Sequence, residues 1–360
     1  MAKTLKNLGR FTLLRVTVLF LTVLVGVYLT VVIANMGGAM DDALKMQIRL
    51  EVTQAVNQNP ANWQLPQSEI QRLIDDLTAT RLKQEGLDRP FLERSVSYTR
   101  NAITLNLGRS ESIMSDTGSR LVRNILLDRL PSTLLLIATS DLILFFLALF
   151  GALFLSRRYG SFVDRAVIAL APTSAAPAWF YGLFLILIFA ALLRVLPWGG
   201  MVESPPPDPG WPTALSYMRH LILPVGAVLI GAIFASIYSW RTFFLMYSSE
   251  DYVELAKAKG VQPRAIERRY ILRPTLPPIL TSFLLMLITM WMGAIILETV
   301  FNWPGLGSLY YAAIQTNDTP IIVGVVVIFG YLLAATVFLL DFLYAALDPR
   351  VRLTFGGGRS

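Results

Sequence analysis

The chain has 360 residues, of which 54% are hydrophobic and only 15% are charged. A soluble domain carries about 25% charged residues, so this composition indicates a membrane protein. The net charge of +7 does not indicate a nucleic-acid partner, because the basic residues stand beside apolar stretches. The absence of cysteine excludes disulfides and cysteine metal ligands, and the single histidine, His220, argues against a histidine metal site or catalytic triad.

The first apolar run follows Lys3, Lys6 and Arg10 and contains only Arg15 as a charge between residues 11 and 40. The apolar core of a signal peptide has about 7–15 residues. A bilayer-spanning helix needs about 20 apolar residues. The run therefore predicts an uncleaved first transmembrane helix.

Residues 41–129 differ from the rest of the chain, because they hold 12 acidic and 12 basic residues. Within them, residues 68–85 predict a helix capped by Ser68, with one apolar stripe formed by Ile70, Leu73, Ile74, Leu77 and Leu82. A connecting loop is rarely this long. The region is expected to be a folded insertion that packs on the membrane part.

Five further apolar runs predict five more transmembrane helices: residues 130–156, 166–193, 221–240, 274–297 and 319–340. The expected fold is an all-α polytopic membrane protein with six transmembrane helices and an insertion of about 90 residues between the first two. The predicted parts are 1–40 (N-terminus and first helix), 41–129 (insertion), 130–345 (helices 2–6, with a charged loop at 246–273) and 346–360 (tail).

Orientation follows from the lysines and arginines, because short cytoplasmic segments carry an excess of them. One side of the predicted topology collects sixteen of these residues, whereas the short loops of the other side hold only Arg219. Both termini and the 246–273 loop are therefore expected in the cytoplasm. The 41–129 insertion is expected outside.

Residues 250–276 form a charged island between two apolar runs, with the signals of a short helix. Ser248 or Ser249 can act as its N-cap, and Gly260 stands where a left-handed residue would end it. Ala256 and Gly260 lie four positions apart, so we expect them to form a strip of small residues that another protein can approach. The residues alone leave open whether this is a docking helix or an ordinary basic loop.

The sequence Asp251-Tyr252-Val253, followed by Ala256, Ala258, Lys259 and Gly260, resembles the coupling loop of ABC-importer permeases, in their dipeptide/oligopeptide/nickel branch. The resemblance implies that these residues contact an ATPase subunit. The residues implied in coupling are Asp251, Tyr252, Glu254, Ala256, Ala258, Lys259 and Gly260.

Further segments are similar to motifs of the same family, in the family's order. They are residues 129–134, 220–224, 298–307, and 341–344 with 348–351, while 86–90 and 107–110 are typical of the first of the two permeases in such systems. The residues of the 298–307 motif are Glu298, Phe301, Trp303, Pro304, Gly305 and Gly307. By themselves these residues are typical of a rigid turn with an aromatic anchor at the membrane interface.

The resemblance implies a multi-pass subunit of a bacterial or archaeal plasma membrane. Its expected partners are a second homologous permease, two P-loop ATPase subunits and an extracytoplasmic substrate-binding protein. The chain itself has no G-x-x-x-x-G-K-[ST] loop, so no cofactor is expected in it, and ATP and Mg²⁺ would be bound by the partners. No catalytic or metal site is expected. The expected cargo is peptides or a related small solute, and the branch also leaves nickel and some sugars open.

Two alternatives do not depend on the resemblance. A secondary transporter or channel could use Asp141, which lies inside the second predicted span, although a carboxylate there more often caps or bonds a neighbouring helix. A receptor-like or adhesion protein would have its function in residues 41–129, but this leaves the charged loop without a role.

Overall fold

The computed structural model describes residues 2–36, 38–87, 89–289 and 295–347. Every regular element within these ranges is a helix, and the only strand-like feature is one antiparallel bridge between Arg109 and Leu121. The expected tail at 346–360 lies outside the described residues from 348 onward. The chain forms two compact units, residues 1–128 with 310–338, and residues 129–309 with 339–347 of the described chain.

Within the described residues, five helices are long and apolar enough to cross a membrane: Thr12–Asn35, Val122–Ser156, Trp211–Ser248, Pro263–Leu287 and Thr319–Leu340. A sixth span results if the pair Phe162–Ala175 and Ala178–Leu192, bent by 98°, counts as one. The run expected as the third span is therefore not a straight helix.

The bend in this third run lies at Pro177, which has no backbone N–H to continue a helix. The preceding residue, Ala176, is extended, with φ −85° and ψ 137°. Proline disfavours the helical conformation in the residue before it, so the chain turns here. A 3₁₀ turn (Ala171–Ala175) precedes the bend, and α7 (Ala178–Leu185) followed by a π-helical stretch (Ile186–Leu192) comes after it.

The first unit contains α1 (Ala2–Asn35), α2 (Ala39–Gln58), α3 (Gln67–Gln84), α4 (Phe91–Ile103) and the first part of α14 (Thr319–Leu347). Its main core joins Val27 and Val31 of α1 with Ala102 of α4 and Val323 and Val327 of α14. The insertion thus shares a hydrophobic core with two of the apolar helices.

A second core in this unit lies between α2 and α3. The predicted helix at 68–85 is confirmed with its bounds shifted by one residue, and Ile74 is buried against α2. The cap is not Ser68, because the helix begins at Gln67 and Pro66 occupies the N-cap position without a side-chain bond. Leu77 of the predicted stripe is 42% exposed and does not join this core.

The second unit contains most of α5 (Val122–Ser156), α6 (Phe162–Leu170), α7, α8 (Trp211–Ser248), α9 (Asp251–Ala258), α10 (Pro263–Ile266), α11 (Arg273–Thr289), α12 (Ile295–Val300) and the start of α13 (Leu306–Gln315). Its core gathers buried apolar side chains of α5, α8 and α12, among them Leu136, Ala227 and Leu297, around Phe301 and Trp303. Helix α5 begins at Val122, eight residues before the predicted span, and contains Pro131.

Candidate functional site

Residues 251–272, which we call the charged hairpin, follow α8 directly. They comprise α9, a turn, the single-turn helix α10 and a π-helical stretch (Glu267–Leu272) that leads without a break into α11. Helix α9 and its turn therefore stand between two helices that are long and apolar enough to span a membrane, and residues 263–272 of the hairpin form the start of the second one, Pro263–Leu287.

The turn after α9 is closed by Gly260, which has a φ of +72°. Its N–H donates to the carbonyl of Lys257 at 2.9 Å, and the N–H of Val261 donates to that of Ala256 at 3.2 Å. These two bonds form a Schellman motif, in which the left-handed position favours glycine. The predicted conformation of Gly260 is confirmed.

The predicted serine N-cap of α9 is wrong. Helix α8 extends to Ser248, so both serines belong to its last turn, where Ser248 and Ser249 donate their hydroxyls to the carbonyls of Leu245 and Met246 at 2.8 and 2.9 Å. Glu250 occupies the N-cap position without a side-chain bond. Negative charge in the first turn of α9 still complements the helix dipole.

One face of α9 packs inside the hairpin. Val253 and Ala256 are buried against Ile266, with Val261 and Tyr270 packed beside them. Ala256 is only 3% exposed, so the expectation that it forms a docking strip with the exposed Gly260 is wrong. A larger residue at Ala256 would overfill the hairpin core, so its small side chain serves packing within the chain.

The opposite face of α9 is exposed and amphipathic. Tyr252 and Leu255 are 38% and 56% exposed, and they lie three positions apart on one side of the helix. The remaining exposed residues around them are Asp251, Glu254, Lys257, Ala258 and Lys259. Partial burial, followed by the nearby Glu250 carboxylate, raises the pKa of Tyr252. This face can present an apolar centre with charged edges to a partner.

Residues 298–307, which we call the Trp-Pro-Gly turn, form the second predicted motif. Glu298 is fully buried, and its carboxylate accepts from the hydroxyl of Thr133 at 2.9 Å and from the N–H of Ser308 at 2.9 Å. Thr133 also accepts from the N–H of Leu306 at 2.7 Å. The motif is thus fastened to the first part of α5 by paired buried polar groups.

Trp303 is fully buried and donates its indole N–H to the carbonyl of Ser132 at 2.8 Å. It is therefore not the lipid-facing aromatic anchor that the sequence indicated. A Cβ atom on Gly305 would overlap the Glu298 carboxylate, and one on Gly307 would come within 2.9 Å of it. Glycine is needed at both positions because of this close approach.

Comparison with known proteins decides the family. The sequence profile of the binding-protein-dependent transport system inner membrane component matches residues 144–353, which is more than half of the chain. The chain belongs to this family. It is the permease subunit of an ABC importer, a multi-pass inner-membrane protein, and the ATPase resides in partner subunits rather than in the permease.

The permease is similar to several curated proteins. It is 32% identical to a putative peptide permease protein of Brucella suis over 272 residues, covering 75% of this chain and 83% of the relative. It is 30% identical to the di/tripeptide transport system permease protein DppB of Pseudomonas aeruginosa, covering 78% and 87%. It is 31% identical to the oligopeptide transport system permease protein AppB of Bacillus subtilis, covering 66% and 77%.

Two ion pairs near the charged hairpin were missed by sequence reasoning, which counted their arginines only as topology signals. Arg241 forms a buried two-pronged pair with Asp164, whose second bond, from Nη2 to Oδ2, is 2.6 Å long. Arg157 pairs with Glu267 in a more exposed position. No local sequence signal could have found these pairs, since their members lie 77 and 110 positions apart.

A third missed residue is Asp318 in the first unit. One oxygen of its buried carboxylate accepts from the Ser110 hydroxyl at 2.5 Å and from the N–H groups of Glu111 and Ser112 at 3.0 and 3.2 Å. The segment that follows α4 is thereby fixed at the start of α14.

The remaining polar residues that the sequence indicated, His220 and Asp141, make few polar contacts with other described residues. His220 is buried, and its Nδ1 lies 2.8 Å from the carbonyl of Ser216, one helical turn earlier. Asp141 is half-buried in α5, and no hydrogen bond or ion pair joins its carboxylate to another described residue. Family membership leaves the secondary-transporter and adhesion alternatives without support.

Proposed function

We propose that this permease transports peptides and that the charged hairpin is its contact with an ATPase subunit. Peptide cargo is supported by the names of the relatives, which include peptide, di/tripeptide and oligopeptide permeases. The coupling role is carried by one observation: the hairpin is a compact helical element with its own core and an exposed amphipathic face.

In this proposal the contact is made by the exposed face of α9. Tyr252 and Leu255 supply the apolar centre, and an aromatic side chain with a polar tip suits such an interface. The surrounding charges set the register of docking. Gly260 acts by ending α9 sharply, while Ala256 supports the contact from inside the hairpin.

The permease is oriented with both termini and the charged hairpin in the cytoplasm and with residues 41–129 outside. The excess of lysine and arginine on one side of the topology supports this orientation. It places the hairpin where ATP is available to a partner, and it places the insertion where an extracytoplasmic binding protein delivers cargo.

The working importer contains this chain, a second homologous permease, two P-loop ATPase subunits and a binding protein. ATP and Mg²⁺ are bound by the ATPase subunits. Closure of the ATPase pair moves the hairpins of both permeases and exposes the translocation path alternately to the two sides of the membrane.

The experiment is affinity purification of the tagged permease from membranes, with identification of the co-purifying subunits and an ATPase assay. Leu255→Asp places a charge at the centre of the proposed contact, so it is expected to remove the ATPase subunits from the purified complex. Leu65→Asp, at a partly exposed leucine of the insertion, is the matched control and should retain them.

Gly260→Asp is likewise expected to abolish uptake while the permease still inserts into the membrane. Ala256→Glu is not a clean test of contact, because the carboxylate would enter the hairpin core. A complex that keeps its ATPase subunits and normal uptake with both Leu255→Asp and Gly260→Asp would refute the coupling assignment.

A further inference from the structure

The two ion pairs that sequence reasoning missed share one feature of their arrangement. Both start from one short segment, residues 157–164, which we call the connector and which joins the end of α5 to the start of α6. One pair reaches Arg241, before the charged hairpin, and the other reaches Glu267, inside the hairpin beyond α9. The connector is thereby tied to the chain on both sides of α9.

The first tie is buried and geometrically defined. The guanidinium of Arg241 meets both oxygens of Asp164, and the two side chains are 8% and 1% exposed. Oδ2 of Asp164 also accepts from the N–H of Gly160 at 2.9 Å, and the hydroxyl of Ser161 caps α6 by accepting from the Asp164 N–H at 3.3 Å. The Cζ atom of Arg241 lies over the Tyr159 ring, 5.1 Å from its centre.

These surrounding contacts fix the relative orientation of the Asp164 and Arg241 side chains. A planar guanidinium paired with two carboxylate oxygens resists rotation as well as separation. Since Arg241 lies in the last two turns of α8, any displacement of that end of α8 is transmitted to the connector.

The second tie lies beside a cavity. This cavity of about 480 Å³ lies between the end of α5, the end of α8 and the charged hairpin, and it is lined by apolar side chains such as Leu153, Phe244 and Ile271. Arg157 and Glu267 both border it, and their side chains are paired with each other. The ion pair therefore adds a direct contact between the connector and the hairpin at a place where the elements leave space between them.

We propose that these two ion pairs hold the connector, the end of α8 and the charged hairpin together as one mechanical body. Movement of the hairpin, driven by the ATPase subunit, is then passed to α5 and α6. In this inference the four members of the pairs act as positioning residues for energy coupling. This inference rests on the proposed coupling role of the hairpin.

The test uses the complete importer in lipid nanodiscs and in sealed vesicles. The variants of the exposed pair are Arg157→Glu, Glu267→Arg and the double reversal, which restores opposite charges. The variants of the buried pair are Asp164→Asn and Arg241→Lys. Arg165→Gln is the matched control, because Arg165 is exposed and directly follows the connector, so the substitution removes one charge beside Asp164 without breaking either ion pair.

Two readouts separate coupling from folding. The first is the number of dipeptide molecules transported per ATP hydrolysed. The second is the distance between spin labels at Phe162→Cys and Gln262→Cys of permease labelled before assembly, to which this chain adds no other labelled site because it has no cysteine. Both positions are exposed, one at the start of α6 and one in the hairpin turn.

We expect a severalfold fall in molecules transported per ATP for each single variant, with recovery in the Arg157→Glu/Glu267→Arg double variant and no change in Arg165→Gln. The label distance should stay constant on ATP binding in the unmodified permease and change in the single variants. A purely structural role would lower the yield of complex but leave the ratio and the distance unchanged. An unchanged ratio and distance in the single variants of the exposed pair would overturn the inference, even if Asp164→Asn fails to fold.

The failure of this inference is distinguishable from the failure of the proposed function. If Leu255→Asp does not release the ATPase, the coupling assignment itself is wrong. If Leu255→Asp releases the ATPase but the ion-pair variants remain coupled, only the one-body inference is wrong. If dipeptide is not transported by the unmodified importer, the cargo proposal fails and the label distance still decides the inference.

Discussion

Thr133 donates its hydroxyl to the buried carboxylate of Glu298, 165 positions later, at 2.9 Å. The same hydroxyl accepts from the N–H of Leu306, so one side chain joins the first part of α5 to both halves of the Trp-Pro-Gly turn. Two segments that resemble separate family motifs, 129–134 and 298–307, are therefore parts of one packed unit. The residue types in each segment are therefore needed for its packing against the other segment, whether or not a partner protein also contacts them.

Glu298→Ala should destabilise the permease, because it leaves the Thr133 hydroxyl and the Ser308 N–H without their acceptor. An unsatisfied buried polar group costs about 1–3 kcal/mol. A lower midpoint in thermal unfolding of the detergent-solubilised permease is the measurement. Glu203→Ala is the control, since Glu203 pairs with Arg219 only at an exposed position and its loss should be nearly neutral.

Gly305→Ala should also destabilise the permease, because the added Cβ overlaps the Glu298 carboxylate and the Thr133 hydroxyl. Overpacking of this kind costs about 1–3 kcal/mol. Gly330→Ala in α14 is the matched control, because a Cβ there meets nothing within 4 Å. Alanine in place of a helical glycine is expected to be neutral or to stabilise by up to about 1 kcal/mol. Equal midpoints for the two variants would contradict the close approach at Gly305.

Asp318→Ala should release the segment that follows α4 without unfolding the first unit. The carboxylate is the acceptor for the Glu111 and Ser112 N–H groups, so both amides should exchange with solvent faster. Hydrogen exchange measured by mass spectrometry of peptides covering 104–121 is the direct test. Glu111→Gln, which removes one exposed negative charge from the same segment and keeps the backbone N–H, is the comparison, and it should leave the exchange of Ser112 close to that of the unmodified chain.

Tyr98 should titrate above ordinary tyrosines. Burial first, and then its hydrogen bond to Asp41 at 2.7 Å, raise the pKa of the Tyr98 hydroxyl. Because the folded pKa lies above the unfolded value of about 10, the contribution of this group to stability is complete below that pH and is lost as pH rises through the folded pKa. The ultraviolet titration of the permease minus that of Tyr98→Phe isolates this residue. A difference curve at or below the ordinary range would contradict the buried hydrogen bond.

Gly260→Ala should weaken the end of α9 by about 1 kcal/mol, because alanine must adopt a left-handed conformation at φ +72°. Gly260→Asn should cost less, since asparagine tolerates this region. Co-purification of ATPase subunits with the two variants, compared at equal permease amounts, is the measurement, and the alanine variant should retain less. The opposite order would indicate that size at the contact, rather than the backbone conformation, decides the residue at 260.

Local sequence predicted the turn of the candidate site but not the role of Ala256. The turn at Gly260 could be predicted because a left-handed helix end leaves a local signal in the sequence. The role of Ala256 could not, because helical spacing places Ala256 and Gly260 on one side without saying whether that side faces a partner or Ile266. The hairpin core turned Ala256 inward and left Tyr252 and Leu255 exposed.

By itself, the sequence determined the all-helical membrane class, the position of the apolar helices and the charged island between two of them. These features depend on composition and on contacts within a few positions along the chain, which the sequence displays directly. Only the tertiary structure decided that Trp303 is buried and that Asp164 meets Arg241. Each of these depends on which distant segments pack together, and the free energy of burying a charge or an indole N–H is favourable only when its partner is in place.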